Sequence, residues 1–206
     1  MSHFVTMVIG NDPEAQLAPY NEQMQVDEYI DEELTEHDKQ MMLDYYNQRR
    51  ETPYESFDDC YAEHGEDWDG SSCRKNEAGV WCRYTTYNPQ SKWDWYRLGG
   101  GWSGKIIKLK KEATSGIIGV PSWCSTTNGV DAALKKDIDF KEMDKDPDCW
   151  IPYAVVKDAK WLGRGNMGWW GISTDNAPLD EWAQKVRELV ESLPDDTLIS
   201  FYDCHI

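Results

Sequence analysis

Apolar positions recur along the chain in distinct rhythms, and each rhythm predicts an element. Residues 3–9 (HFVTMVI) are rich in β-branched and aromatic residues, apolar on both alternating faces, and stop at Gly10-Asn11-Asp12-Pro13. That pattern predicts a strand covered on both sides, at the centre of a sheet. Pro13 opens a short helical turn over residues 13–20. Residues 21–33 are polar and acidic without a period, which predicts a loop. Thr35 followed by Asp38 approximates a capping box, and Met41, Met42, Tyr45 and Tyr46 then fall at helical spacing. A helix over 36–50 follows, on the surface because its apolar stripe is narrow, with Pro53 past its end. Residues 54–78 read as acidic and turn-rich. Residues 80–87 have strand composition up to Asn88-Pro89. Residues 92–98 read as a strand with Trp93 and Trp95 on one face and Asp94 and Tyr96 on the other. The run Gly99-Gly100-Gly101 breaks it. Residues 105–111 are short and extended, and residues 112–150 hold one or two short helices, the best over 131–137.

The last third carries the strongest signal. Residues 153–161 predict a strand, 163–166 a hairpin connection, and 167–173, with Trp169 and Trp170 adjacent, a returning strand. Asn176 is the expected cap of a helix reaching residue 193. Leu179, Trp182, Ala183, Val186, Leu189, Val190 and Leu193 form one apolar stripe along it. Residues 197–202 give the final strand. The sum is an α+β fold: a mostly antiparallel sheet containing the N- and C-terminal strands, packed by a C-terminal amphipathic helix, with an acidic helical insertion. The expected organisation is a single domain over 1–206, with an acidic, Trp-poor insertion at 21–78 and a Trp-rich main body at 79–206.

Charge sharpens that division. The net charge of the 206 residues is -17, and residues 1–70 hold 19 Asp/Glu against 3 Lys/Arg, while the remainder holds 19 against 18. None of the 11 tryptophans precedes Trp68. So acidic a chain is not expected to bind DNA directly or to coat an anionic membrane. No apolar run approaches a membrane span, and the N-terminus lacks the basic and apolar regions of a secretory signal. A cytoplasmic location follows, with reduced thiols for the six cysteines.

Candidate chemistry is sparse. Gly99 to Lys105 nearly fits a phosphate loop, but Ile106 stands where a magnesium-binding hydroxyl belongs, and the residues after it alternate like a strand. Asp203, Cys204 and His205 resemble a catalytic group, yet neighbours on a strand point to opposite faces. Cys60, His64, Cys73 and Cys82 have gaps too wide for the usual zinc spacing, so Cys82, Cys124 and Cys149 are expected as small apolar fillers. Asp137, Asp139, Asp144, Asp146 and Asp148 lack the calcium-loop order and are expected to form a solvated acidic loop. No catalytic set, metal or cofactor is therefore expected. Two binding surfaces remain. One is the acidic set Asp27, Glu28, Asp31, Glu32, Glu33, Asp58, Asp59, Glu63, Glu66, Asp67 and Asp69. The other is the aromatic and cationic segment with Lys92, Trp93, Trp95, Tyr96, Trp102, Ser103 and Lys105, where rings and cations could hold a small molecule or nucleotide signal.

Four stretches resemble a family of tailed-phage and prophage proteins: residues 1–22 (MSHFVTMVIGNDPEAQLAPYNE), 88–104 (NPQSKWDWYRLGGGWSG), 135–140 (KKDIDF) and 193–206 (LPDDTLISFYDCHI). The resemblance implies an intracellular phage accessory protein acting in the host cytoplasm, and it carries over no functional residue. Joined to the acidic surface, it leads to the expectation of a protein that binds and inhibits a host defence effector of CRISPR or restriction type by nucleic-acid mimicry. The alternative is a small-molecule or nucleotide-signal binder, as sponge or enzyme, using residues 92–105.

Overall fold

The computed structural model describes residues 2–70, 72–120, 129–146, 150–168 and 172–206, the side chain of Asp69 excepted. In chain order the elements are β1 (His3–Ile9), α1 (Pro13–Leu17) with a 3-10 turn at Ala18–Tyr20, β2 (Tyr29–Glu33), α2 (Glu36–Asn47), α3 (Phe57–Asp69), β3 (Cys73–Lys75), β4 (Trp81–Thr85) and β5 (Trp95–Leu98). They continue with β6 (Ala132–Leu134), α4 (Phe140–Met143), β7 (Ala154–Lys157), β8 (Lys160–Gly163), β9 (Asn166–Met167), β10 (Ser173–Thr174), α5 (Leu179–Glu191) and β11 (Leu198–His205). The chain forms two compact units, residues 25–87 and residues 1–24 with 88–206. The charge pattern alone suggests boundaries near 21 and 78.

The larger unit is built on a mixed sheet of order β5-β11-β1-β7-β8, with β6 also paired to β11. β1 lies at its centre, antiparallel to β11 and parallel to β7, and every other pairing is antiparallel. Alternation on β1 serves two cores. Met7 and Ile9 join Val155, Ile199 and Phe201 under Trp182, Val186, Val190 and Leu193. On the opposite face Phe4 and Val8 join Leu17, Tyr20, Trp93, Val156, Tyr202 and Cys204. Each fully buried Val, Ile or Phe contributes roughly 1.5–3 kcal/mol, so α5 and the α1 turn hold opposite faces of one sheet.

The smaller unit has a three-stranded sheet of order β2-β4-β3 together with α2 and α3. The capping box of α2 is complete. Thr35 Oγ1 accepts from the Asp38 amide at 3.2 Å, and Asp38 accepts from the Thr35 amide at 2.9 Å.

Several expectations change. Residues 29–33 are a strand rather than a loop: they lie at the edge of the small sheet, so four of the five remain exposed and show no apolar alternation. Residues 57–69 are a helix, not turns, capped by Ser56 and closed by Gly70 at φ 66°. Residues 132–134 form a strand, because Ala132 and Ala133 are small enough to lie buried beside β11. The hairpin after β7 turns at Asp158 and Ala159, both with positive φ as a two-residue hairpin turn requires, and not at 163–166. Pro178, not Asn176, precedes α5; Asn176 Oδ1 instead accepts from Ser173 Oγ at 2.5 Å. Leu179 is 46% exposed and leaves the apolar stripe. Trp169 and Trp170, Cys124 and Cys149 lie outside the described residues.

Candidate functional site

The acidic residues anticipated as a partner surface belong to the smaller unit. Asp27 and Glu28 precede β2, Asp31, Glu32 and Glu33 lie on it, and Asp58, Asp59, Glu63, Glu66, Asp67 and Asp69 lie on α3. Ten of these eleven are exposed, Asp69 falling outside the described side chains. Half of the ten already have internal partners. Glu28 pairs with Arg74 and Asp58 with Lys75; Glu32 pairs with Arg83 at 2.5 Å and Glu63 with Arg50 at 3.0 Å. Asp59 receives the Ser56 hydroxyl at 2.6 Å. The pKa values follow this pairing. Arg74 holds Glu28 below the usual carboxylate range, Lys75 and then the Trp81 indole hold Asp58 down, and the Tyr54 hydroxyl and then Arg50 hold Glu63 down. Asp27, Asp31, Glu33, Glu66 and Asp67 have no cation partner among the described residues.

The same unit exposes apolar surface. Met41, Tyr45 and Trp68 are 46%, 43% and 39% exposed. The rings of Tyr45 and Trp68 lie 6.1 Å apart edge to face, and Tyr46 stacks on His64 at 3.9 Å. Neither helix announces this in the sequence, because the patch joins one face of α2 to one face of α3. Cys60, Cys73 and Cys82 are buried, and among the described residues no group of three His, Cys, Asp or Glu is placed to hold a metal.

The larger unit divides the aromatic and cationic segment. Trp93, Trp95 and Tyr96 line an open cleft of about 510 Å³ together with Glu14, Asn21 and Asp94. Lys92, Trp102, Ser103 and Lys105 do not line it. Trp93 and Trp95 do not share a face either. Trp93 is bridged to Asn21 ahead of β5 and is buried against Tyr96, with ring centroids 4.8 Å apart, whereas Trp95 is 37% exposed. The indole N–H of Trp93 is buried without an acceptor among the described residues.

The remaining residues of the segment belong to the glycine loop, whose role explains the near-match to a phosphate loop. Its donors do cradle anions, but the anions are the chain's own carboxylates. The Gly104 amide and the Ser103 hydroxyl both donate to Asp131 at 2.7 Å, as does the Gly119 amide, while the Gly101 amide donates to Asp203 at 2.9 Å. A Cβ on Gly99 would lie 2.3 Å from Asp131, and one on Gly100 2.4 Å from Asp203. Lys105 Nζ donates to the Gly101 carbonyl at 3.2 Å, and Trp102 packs on the α5-side core.

Beyond Asp203 stand two imidazole–carboxylate pairs. His3 Nδ1 and Asp203 Oδ1 are 2.8 Å apart, and His205 Nδ1 and Asp94 Oδ1 are 2.6 Å apart. The two imidazoles lie 5.1 Å from each other, and His205 stacks on Trp95 at 5.4 Å. Cys204 is on the other face, in the second core, where burial pushes its thiol up. No sequence signal joined His3 to Asp203, because 200 positions separate them. The anticipated acidic loop is not simply solvated. Asp137 accepts from the Ser115 hydroxyl at 2.6 Å, Asp139 from the Glu142 amide at 3.0 Å, and Asp144 from the Trp150 indole at 3.1 Å; Asp148 lies outside the described residues.

Comparison of the chain with protein-family models, curated proteins and solved structures gives no match. Among the described residues no helix is long and apolar enough to cross a membrane.

Proposed function

We propose that the protein is a phage-encoded inhibitor that binds the basic, nucleic-acid-handling surface of a host defence protein, of CRISPR or restriction type, through its acidic unit. One observation carries this reading. Residues 25–87 hold 17 Asp/Glu and 6 Lys/Arg within one compact unit, and five of those six cations are already paired to carboxylates. The surplus negative charge is therefore carried by exposed carboxylates, and the same unit exposes the rings of Tyr45 and Trp68. Spaced carboxylates stand in for phosphates and speed encounter with a basic groove, while desolvated rings slow release. The resemblance to phage proteins supplies the setting, the host cytoplasm.

Internal pairing sharpens the choice of test residues. Reversing Glu32 breaks its pair with Arg83, so the informative variant is Asp31→Lys/Glu33→Lys/Asp67→Lys. Immobilised protein should capture a nucleic-acid-binding host protein at about 50 mM salt, release it as salt rises several-fold, and lose it to competing duplex DNA. The triple variant should slow association by about tenfold or more. Capture that resists salt, ignores DNA and survives the triple reversal would sink the proposal.

A further inference from the structure

Two lysine-rich segments of the larger unit lie side by side. Residues 105–111 and 135–141 together hold seven lysines, two aspartates and no arginine. Leu109 bridges Ile138, the Lys110 amide donates to the Asp137 carbonyl at 2.9 Å, and the Asp139 amide donates to the Lys108 carbonyl at 2.8 Å. Ile107 and Ile138 belong to the core and Leu109 packs on it, so the alternate residues Lys108 and Lys110 face away from it. Two of the seven lysines are spent within the chain. Lys105 Nζ donates to the Gly101 carbonyl, and Lys135 Nζ donates to the Glu191 and Leu193 carbonyls at the end of α5. The other five are Lys108, Lys110, Lys111, Lys136 and Lys141, and all but the half-buried Lys108 are exposed. Lys110 lies against Lys136, its Nζ donating to that residue's carbonyl at 2.6 Å. Among the described residues none of the five is in an ion pair, whereas five of the six cations of the acidic unit are. The acids nearby are fewer and partly engaged: Asp137 is buried and accepts from Ser115, Asp139 accepts from the Glu142 amide, and Glu112 is exposed. Charge is screened within about 10 Å in 0.1 M salt, so such a patch acts locally whatever the net charge of the chain.

Lysine ammonium groups are point charges, whereas carboxylates are held best by the fork of arginine. The acidic unit follows that rule internally, with Arg50, Arg74 and Arg83 on Glu63, Glu28 and Glu32. A surface of lysine without arginine suits phosphates strung along a flexible backbone. The same surface borders a cleft of about 470 Å³ lined by Lys110, Ile138, Asp139, Phe140 and Lys141. An apolar wall thus stands between two ammonium groups, the arrangement that lets a base stack while its phosphates meet cations. Bases are free to do this in a single strand and not in a duplex.

We propose that this surface binds single-stranded nucleic acid, with Lys108, Lys110, Lys111, Lys136 and Lys141 on the phosphates and Phe140 as the platform for one base. It belongs to the larger unit and does not rest on the reading of the acidic one.

The full chain is titrated into labelled oligo-dT and oligo-U of about 20 nucleotides, followed by fluorescence anisotropy, with a duplex and a poly-glutamate peptide of similar length as comparisons. At about 50 mM salt both strands should bind with a dissociation constant on the order of 10 µM. The logarithm of the binding constant should fall with that of salt at a slope of about -2 to -3.5, the value for three to five phosphate contacts. Lys108→Gln/Lys110→Gln/Lys136→Gln should weaken binding about tenfold or more and flatten the slope by about 2. Lys111→Gln/Lys141→Gln, at exposed positions, should weaken it about fivefold. Phe140→Leu keeps an apolar side chain beside Trp150 and should also weaken it about fivefold. Lys157→Gln/Lys160→Gln, on the β7–β8 hairpin, removes the same charge elsewhere and should bind as the parent does. Melting temperatures should stay close to that of the parent throughout. The proposal is overturned if neither strand binds, if the duplex or poly-glutamate binds as tightly as the strands, the latter pointing to an acidic protein instead, if the two lysine variants or Phe140→Leu bind unchanged, or if the hairpin variant loses as much as they do.

Discussion

Two buried carboxylates, Asp131 and Asp203, hold the glycine loop of the larger unit, and the sequence announces neither in that role. Asp131 is 1% exposed and receives the Ser103 hydroxyl and the Gly104 and Gly119 amides, all at 2.7 Å. A buried carboxylate with this many donors replaces the water it lost, and removing it strands every donor at once. Asp131→Ala should therefore cost about 3–5 kcal/mol, the sum expected when several buried donors lose a charged acceptor. Urea denaturation checks this: a loss below about 1 kcal/mol would mean that the loop does not need its internal anion. Gly99→Ala should be comparably damaging, because the backbone there has φ 71° and the new Cβ would lie 2.3 Å from an Asp131 oxygen. The sequence showed that Gly99–Gly104 is a glycine-rich bend beside a tryptophan cluster. It could not show what fills the bend, since the acceptors lie 28 and 102 positions away.

At the scale of elements, legibility followed periodicity. β1, β11 and α5 are long, apolar and regular, and their positions in the chain place them in one layer over another. α3 and β2 were hidden because one is acidic along an exposed face and the other is an edge strand with a solvated surface. In α5 the stripe is real but shorter than its spacing suggests: Trp182, Ala183, Val186 and Val190 are buried, Leu189 is half-buried, and Leu179 is exposed. That difference is testable by contrast. Val186 is 1% exposed, and Val186→Asp places a charge in the core, costing about 4 kcal/mol or more, a large share of a domain's stability. Leu179→Asp should stay within about 0.5 kcal/mol of the parent, since the position is solvated and an acid suits a first helical turn. Equal effects in the two variants would contradict the burial pattern. In α2 the capping box predicts a loss of about 1 kcal/mol for Thr35→Ala, read from the melting of the acidic unit.

For the whole molecule, the acid excess was legible as an asymmetry along the chain, and the structure gathers most of it into one of two units, which should differ in their dependence on pH. In the acidic unit Glu28, Asp38, Asp58 and Glu63 are all held below their ordinary values of 4.5 for Glu and 3.8 for Asp, by Arg74, by the Thr35 hydroxyl, by Lys75 and by the Tyr54 hydroxyl respectively. In the other unit Asp137 is held down, chiefly by Ser115. A carboxylate whose pKa is lower when folded than unfolded stabilises the fold fully above the unfolded value, and that stability drains away as pH falls through the folded value. From neutral pH down to about 5 these contributions remain whole; below about 4 they drain away progressively as pH falls through the lowered folded values. Protonation also relieves repulsion among the surplus acids, which acts the other way. It leaves Arg50, Arg74 and Lys75 facing neutral partners, however, and strips α2 of its charged cap. We expect the loss to win in the acidic unit. Two indoles report separately: the Trp81 N–H donates to Asp58 at 2.7 Å, and the Trp182 N–H donates to the Pro152 carbonyl at 2.7 Å. Thermal melts followed by these two resonances should show the Trp81 midpoint falling further than the Trp182 midpoint between pH 7 and about pH 3.5. A shared shift, or an earlier loss at Trp182, would show that the depressed carboxylates do not set the acid stability of residues 25–87.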